Sequence, residues 1–415
     1  MPALIAECRR PGLPGIVPSE RFSLAMVPEL LLAELARSRR GVIVLGVDGL
    51  AHQPAARCWP SAQITYLTST FPSTSAPAWL TALTGTGPRV HGVPGMVYRV
   101  GDGLVYGVTG ECIAGERAAP PSAGSPSPAP PSAAPPNAGP LSAVPPNAVL
   151  PQPTVFERAA AELGARCLAL GRELDHLPGP WAAALLRGAA PVSGVWSQST
   201  KRHSRPVHRE LAEQAADPAL LVDAVAAEVT AALPTTATAA TPPVLLWVYV
   251  NLDDYVHANG YDDAVPAALH TLDAAAGGWA SDGWTVVAHS DHGQVPVRPD
   301  PALARAWAEV DRPTECELPG GGAGRVRWLY PRSGREDAVR ARLADALGDA
   351  AVVVAARDLG LDPHRVGAVV AIAASDRFPI PNPELRYEHG GLDVDEMIIP
   401  FAVWRPRPRW PAPAG

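Results

Sequence analysis

Carboxylates and imidazoles gather where three long apolar runs end. Asp48 closes GVIVLGVDGL, residues 41–50. Asp253 and His257 follow PVLLWVYV, residues 243–250, in the segment NLDDYVHANG. Asp291 and His292 follow WTVVAH, residues 284–289, in Ser-Asp-His-Gly. A sixth group, His389, stands in the turn EHGG ahead of a last apolar run, MIIPFAVW. Carboxylate oxygens and neutral imidazole nitrogens are ligands for zinc and related divalent ions. Six such groups suffice for two ions with three protein ligands each, leaving positions open for a substrate. Taken singly, each has an ordinary explanation. Asp48 before a glycine suits a turn, Asp254 beside Asp253 suits a helix cap, and Asp-His-Gly suits a polar loop. Their repetition at the ends of core strands is what points to a site.

The apolar runs have the length and continuity of strands buried on both faces of a parallel sheet. In such sheets ligands bind beyond the carboxyl ends of the strands, where Asp48, Asp253 and Asp291 stand. The stretches between them read as helices: about Met26 to Arg37, the start of TVFERAAAELGARCLAL at 154–170, and residues 208–233. Alternating strands and helices predict an α/β fold, a three-layer α/β/α sandwich with a mainly parallel central sheet. MIIPFAVW supplies its last strand. Residues 321–375 read as a small α+β insert, with strand RVRWLYP, helix REDAVRARLADALG and strand AAVVVAA. The run GGGAG at 320–324 lacks the spacing and the lysine of a phosphate-binding loop and reads as a flexible loop.

Between these parts lies a different material. Residues 117–153 hold 13 prolines and repeat PPSA and PPNA, a composition that suits a solvated, extended insertion and not a packed element. The chain therefore divides into 1–116, the first part of a catalytic α/β domain; 117–153, a disordered insertion; 154–320, the domain continued; 321–375, the small insert; and 376–415, the domain's last part. The 415 residues are 47% hydrophobic and 18% charged, enough to bury a large core. A net charge of −7 argues against a nucleic-acid scaffold gripped by bulk electrostatics, though not against a small phosphate-bearing substrate. Cys8, Cys58, Cys112, Cys167 and Cys316 are scattered singly and odd in number, which suits reduced thiols. No secretory leader or membrane-length apolar run stands out, so the expected location is the cytoplasm.

The ordered set of motifs resembles the alkaline phosphatase superfamily, and within it the nucleotide pyrophosphatase/type I phosphodiesterase branch. The matching segments are VDG at 47–49, FPSTSAPAWLTALTGTGPRVHG at 71–92, DDYVHANG at 253–260, SDHG at 290–293 and EHGGLDVDEMIIPFAV at 388–403. The resemblance implies two metal sites, most readily for Zn²⁺ with Mn²⁺ as the alternative: Asp253, His257 and His389 for one ion, Asp48, Asp291 and His292 for the other. It also implies a hydroxyl nucleophile ten residues before Gly85, which is Ser75. Thr74 is the near rival. Thr70 precedes Phe-Pro as the branch's nucleophile does, but lies fifteen residues from Gly85. Chemistry agrees with a hydroxyl at this place: a serine is a weak nucleophile unless activated, and the Ser73-Thr74-Ser75 run reads as a helix start, where free N–H groups favour an anion. The expected activity is metal-dependent hydrolysis of a small phosphate ester through a phospho-serine. A phosphomonoesterase, a phosphoryl transferase or a non-catalytic homologue of the same fold are the alternatives. A sulfatase is disfavoured, because the Cys-x-Pro-Ser-Arg segment is absent. His91, in the turn after Thr-Gly, is expected to be structural, and His289 to face away from the site. His52 follows the Asp48 strand by four residues and could approach the metals, though a role outside the site is the ordinary reading, and Tyr255 and Asn259 lie near a ligand-bearing loop where they could touch substrate.

Overall fold

The computed structural model describes residues 1–115, 152–171, 174, 180–192, 216–234 and 241–406. Of the proline-rich stretch only its last residues are described, and residues 208–215 of the expected helix over 208–233 also lie outside the described residues. Strands are numbered β1 to β16 along the chain.

Seven strands form the central sheet: β1 (Gly41–Asp48), β2 (Gln63–Thr68), β6 (Arg166–Leu170), β7 (Ala190–Pro191), β8 (Val244–Asn251), β9 (Thr285–His289) and β16 (Ile398–Trp404). Their order is β2-β16-β9-β1-β8-β6-β7. The pairings of β1 with β8 and β9, and of β6 with β7 and β8, are parallel. β16 runs antiparallel between β9 and β2. The sequence reading assigned no strand to 63–68, yet β2 extends the sheet past β16.

Alternation along each strand sorts the side chains into two cores. Val42 and Val44 of β1, Trp247 and Tyr249 of β8, Val287 of β9 and Phe401 of β16 pack on one face. There they meet helices α1 (Val27–Arg37), α3 (Ser75–Thr84) and α4 (Val155–Leu163). Ile43, Leu45, Val248, Val286 and Ala402 pack on the other. They meet α2 (His52–Cys58), α5 (Pro218–Ala232) and α7 (Ala264–Ser281), while α6 (Asp253–Asn259) follows β8 directly. The molecule is thus a three-layer α/β/α sandwich whose sheet is parallel but for β16.

A second, seven-stranded sheet has the order β13-β14-β12-β11-β3-β4-β5. It takes β11 (Cys316–Ala323), β12 (Val326–Pro331), β13 (Ala351–Ala355) and β14 (Val369–Ala373) from the later chain, with helix α8 (Glu336–Leu347). Its other strands, β3 (Val97–Val100), β4 (Gly103–Tyr106) and β5 (Cys112–Gly115), come from the segment after α3. The glycine run expected as a flexible loop is instead the end of β11 and the turn into β12. The reason is close packing: a Cβ on Gly321 would sit 2.3 Å from the Trp328 ring nitrogen and 2.4 Å from the Val97 carbonyl. The glycines let a neighbouring strand and an indole close on the backbone. A two-stranded ribbon, β10 (Val295–Pro296) with β15 (Tyr387–Glu388), leads into the EHGG turn.

Candidate active site

The register of the central sheet brings the ligand-type residues together. Asp48 pairs with Asn251 across β1 and β8, so Asp253 lies two residues past its neighbour. Gly46 pairs with His289 across β1 and β9, which sets Asp291 level with Asp48. Gly49, with φ +73°, makes the approach possible: a Cβ there would lie 2.6 Å from Asp253 Oδ1. The His389 turn is brought in by Gly390, with φ +107°, where a Cβ would meet the Ala323 carbonyl at 1.6 Å.

Two adjoining clusters result, bridged by a third group of Asp253, His292 and His389 whose ligand atoms also lie within 4.8 Å of one another. In the deeper one, Asp48, Asp291 and His292 place their ligand atoms within 4.8 Å of one another. His292 Nε2 is 3.1 Å from Asp291 Oδ2 and 3.6 Å from Asp48 Oδ1. In the shallower one, Asp253 Oδ2 is 3.1 Å from His257 Nε2, and Asp253 Oδ1 is 3.9 Å from His389 Nε2. The rings of His292 and His389 stack at 3.7 Å, so the clusters share a wall.

The three imidazoles are oriented alike. His257 Nδ1 hydrogen-bonds to the Tyr387 carbonyl at 2.8 Å, His389 Nδ1 to the Ser73 carbonyl at 3.0 Å, and His292 Nδ1 to the Gly293 carbonyl at 3.2 Å. A carbonyl only accepts, so each Nδ1 is the protonated nitrogen and each Nε2 is turned inward, as metal-ligating histidines require. Burial holds His292 near pKa 4, so its Nε2 is a bare acceptor at neutral pH. Asp291 Oδ2, another acceptor, faces it and is buried without a hydrogen-bond partner. Two such atoms in contact, away from water, need positive charge between them, either a proton on Asp291 or a bound cation.

The carboxylates tell the same story. Burial, then the charge of Asp253, raises the Asp48 carboxyl to about 7. Burial and the charge of Asp48 raise Asp291 well above the usual range. Asp253 resists the same burial, because His257 beside it holds it low. His257 is itself raised to about 10: burial opposes its charge, but Asp253 outweighs burial. The donors therefore fit divalent ions, whose charge would offset what burial costs.

Ser75 is the first residue of α3, with Thr74 as its N-cap. Ser75 Oγ lies 3.3 Å from Asp48 Oδ1 and 3.1 Å from His292 Nε2. Its rivals lie elsewhere. The Thr70 hydroxyl donates to the Pro72 carbonyl at 2.7 Å, and Thr74 Oγ1 is buried with no partner. One turn along α3, Trp79 Nε1 donates to Asp48 Oδ2 at 3.1 Å, and the Tyr249 hydroxyl donates to the same oxygen. These two donors occupy Oδ2 and turn Oδ1 toward Ser75. Sequence reasoning missed them, although Trp79 stands four residues after Ser75, on the same helical face. It also missed Glu388, which is 6% exposed and whose ligand atom groups with those of His257 and His389 within 4.8 Å. Burial raises that carboxyl to about 7. Tyr106 of β4 comes near enough that, after burial, the charges of Asp254, Asp253 and Glu388 push its phenol up. The second sheet thus reaches the shallow cluster.

The remaining expected residues stand apart. His91 is buried, facing the Thr81 hydroxyl at 3.2 Å and accepting from Val93 N–H at Nδ1. His289 is buried beside Trp79, outside the clusters. His52 packs edge-on against Tyr66. Tyr255 turns into the helical layer, its hydroxyl on Asp262 at 2.8 Å, and Asn259 bonds the Tyr255 carbonyl.

A sequence profile of type I phosphodiesterases/nucleotide pyrophosphatases matches residues 60–383. The chain belongs to this family. As a member it is a phosphoric ester hydrolase of the alkaline phosphatase superfamily. The match spans Ser75, Asp253, His257, Asp291 and His292, whereas Asp48 and His389 flank it. Among solved structures, phosphonoacetate hydrolase from Sinorhizobium meliloti 1021, in complex with phosphonoacetate, is similar with a TM-score of 0.54. It shares 18% identity, over 91% of this chain and 92% of that one. Murine ectonucleotide pyrophosphatase/phosphodiesterase 5, an inactive form in complex with AMP, is similar with a TM-score of 0.52 and 15% identity, over 88% of each chain. These likenesses show the fold. No curated protein sequence matches the chain significantly. No helix among the described residues is long and apolar enough to cross a membrane.

Proposed function

We propose that the protein hydrolyses small phosphodiesters or pyrophosphates through a phospho-serine on Ser75, at a site holding two divalent ions, Zn²⁺ before Mn²⁺. The observation that carries this reading is the inward-facing Nε2 of three histidines, each backed by a carbonyl and set among buried carboxylates, with a helix-terminal hydroxyl against them. Asp48, Asp291 and His292 would hold one ion, and Asp253, His257 and His389 the other. Such ions supply Lewis acidity and make an alkoxide available at neutral pH.

The chain's own groups arrange the rest. The Ser75 hydroxyl stands against two of the atoms that would hold the deep ion, Asp48 Oδ1 at 3.3 Å and His292 Nε2 at 3.1 Å, so Ser75 Oγ would share that ion and lose its proton more readily. Pro77 carries no N–H, so the first turn of α3 offers the amides of Ser75 and Ala76 to phosphoryl oxygens. Ser75 Oγ attacks phosphorus as the bond to the leaving oxygen breaks, and water then cleaves the Oγ–P bond to regenerate the hydroxyl.

Acid quenching during turnover of an aryl phosphodiester, followed by peptide mass spectrometry, should place the adduct on Ser75. Ser75→Ala should keep its metal and fold while turnover falls by several orders of magnitude, since the electrostatic part of catalysis survives loss of a nucleophile. An adduct on Thr74 or Thr70 would move the assignment. An active Ser75→Ala without adduct would mean direct attack by water. A panel of aryl mono- and diesters, nucleotides, a phosphonate and alcohol acceptors separates the diesterase from a phosphomonoesterase or transferase.

A further inference from the structure

Glu388 is a buried carboxylate with no lysine or arginine partner among the described residues. Its side chain is 7% exposed, and the only ion-pair contact it makes among the described residues is with His389, at 3.6 Å. The buried arginine near the turn, Arg325, is committed to Glu396 at 3.1 Å and to the Ser375 carbonyl. Glu388 Oε1 accepts the His389 N–H at 2.9 Å, a bond made within the turn itself. Removing one charge of a buried pair, or burying one without a partner, costs several kcal/mol. Yet the fold directs this carboxylate at the two imidazoles of the shallow cluster, with all three ligand atoms within 4.8 Å.

We infer that Glu388 is a fourth protein ligand of the ion held by Asp253, His257 and His389. The inference rests on the two-ion reading and deepens it. Four carboxylates, Asp48, Asp253, Asp291 and Glu388, then face two divalent ions, and the site is electrically neutral before substrate arrives. Without Glu388 it would carry one net positive charge. The donor set of the shallow ion becomes two imidazoles and two carboxylates, harder than a histidine-dominated set and suited to Mn²⁺ as well as Zn²⁺. It also leaves fewer positions open on that ion, so the substrate's phosphoryl group has less room there than over the deep cluster and Ser75.

The test is zinc titration of the metal-free full chain in competition with a chromogenic chelator, for wild type, Glu388→Gln and Glu388→Asp. Glutamine keeps an oxygen to accept the His389 N–H but removes the charge. The wild type should take up two ions. Glu388→Gln should hold one as tightly as the wild type and the other about 100-fold more weakly, the upper end of what losses around a metal cost. Metal-free Glu388→Gln should melt close to metal-free wild type, because glutamine keeps the bond to the His389 N–H; a purely structural role would lower it. Glu388→Asp, which keeps the charge and shortens its reach, should fall between the two and serves if the glutamine variant does not fold. Two ions bound with unchanged affinity in both variants would overturn the inference. A wild type that takes up no second ion would overturn the two-ion reading itself, and is seen before any variant is made.

Discussion

The two halves of the site are built on different supports. Asp48, Asp291 and His292 are 0–2% exposed and grow from the ends of adjacent parallel strands. Core side chains and backbone amides hold them: Trp79 and Tyr249 on Asp48 Oδ2, and the Gly49 N–H on Asp291 Oδ1 at 3.2 Å. Asp253 and His257 are 14% exposed at their side chains and sit on the short helix α6. Their anchors are the Tyr387 carbonyl of a two-stranded ribbon and Gln294, which donates to Asp253 Oδ1 at 2.6 Å. The deep half inherits rigidity from the sheet. The shallow half hangs on a short helix and a two-stranded ribbon outside the central sheet and is more exposed, so its ion should exchange more readily.

The largest break in that comparison should come from His257→Ala. It takes an imidazole from the shallow half only, so elemental analysis should find one ion per chain in place of two, with the fold intact by circular dichroism. Two ions retained would show that the halves are not separate sites. Next is Tyr249→Phe, which takes one donor from Asp48 and leaves the shallow ligands untouched. The deep ion should bind roughly 10–100-fold more weakly, as losses behind a ligand do. An equal weakening of both ions would mean that Tyr249 acts on the whole fold.

Acidity sharpens the contrast further. Ligands must be deprotonated to bind a metal, so loading releases protons and strengthens as pH rises. His257 is held near 10 by Asp253, so the shallow ion should gain affinity up to about pH 10, by as much as about tenfold per unit for one proton. Asp48, near 7, stops contributing above that pH, and His292, near 4, is already neutral. The stabilisation conferred by metal should therefore keep growing between pH 7 and 10, through His257 in the shallow site and through Asp291, raised well above the usual carboxylate range by burial, in the deep one. Melting temperatures with and without zinc across that range should grow apart less steeply in His257→Ala; an unchanged slope would mean that His257 is not a ligand. The smallest effect belongs to His91→Ala, outside both halves. His91 is neutral, its pKa pushed by burial to about 3, and its loss leaves the Val93 N–H unpaired. A stability loss of about 1–3 kcal/mol is expected, with activity per folded molecule and metal content unchanged.

Much of this site was legible because its parts are local. Asp-Gly after an apolar run, Asp-x-x-x-His and Asp-His-Gly each carry their ligands within a few residues, and period and run length gave β1, β8, β9 and β16. β2 went unread, although Ile64, Tyr66 and Leu67 in QITYLT carry strand-forming residues in partial alternation. The glycine run misled for a physical reason: glycine marks freedom in isolation, but in contact with Trp328 and Val97 it marks crowding.

The sequence by itself determined which residues could bind metal, that they would lie at the carboxyl ends of parallel strands, and that a hydroxyl would stand at a helix start among them. Those properties follow from residue type and short-range periodicity, which the chain carries without its fold. Only the tertiary structure decided which hydroxyl meets Asp48, that Trp79 and Tyr249 grip the same oxygen, that Glu388 joins His257 and His389, and that β3 to β5 bring Tyr106 near the site. Each of these is a contact between segments tens to hundreds of residues apart, set by sheet register and by how closely glycines let backbones approach. Side-chain type does not encode a distant partner; packing selects it.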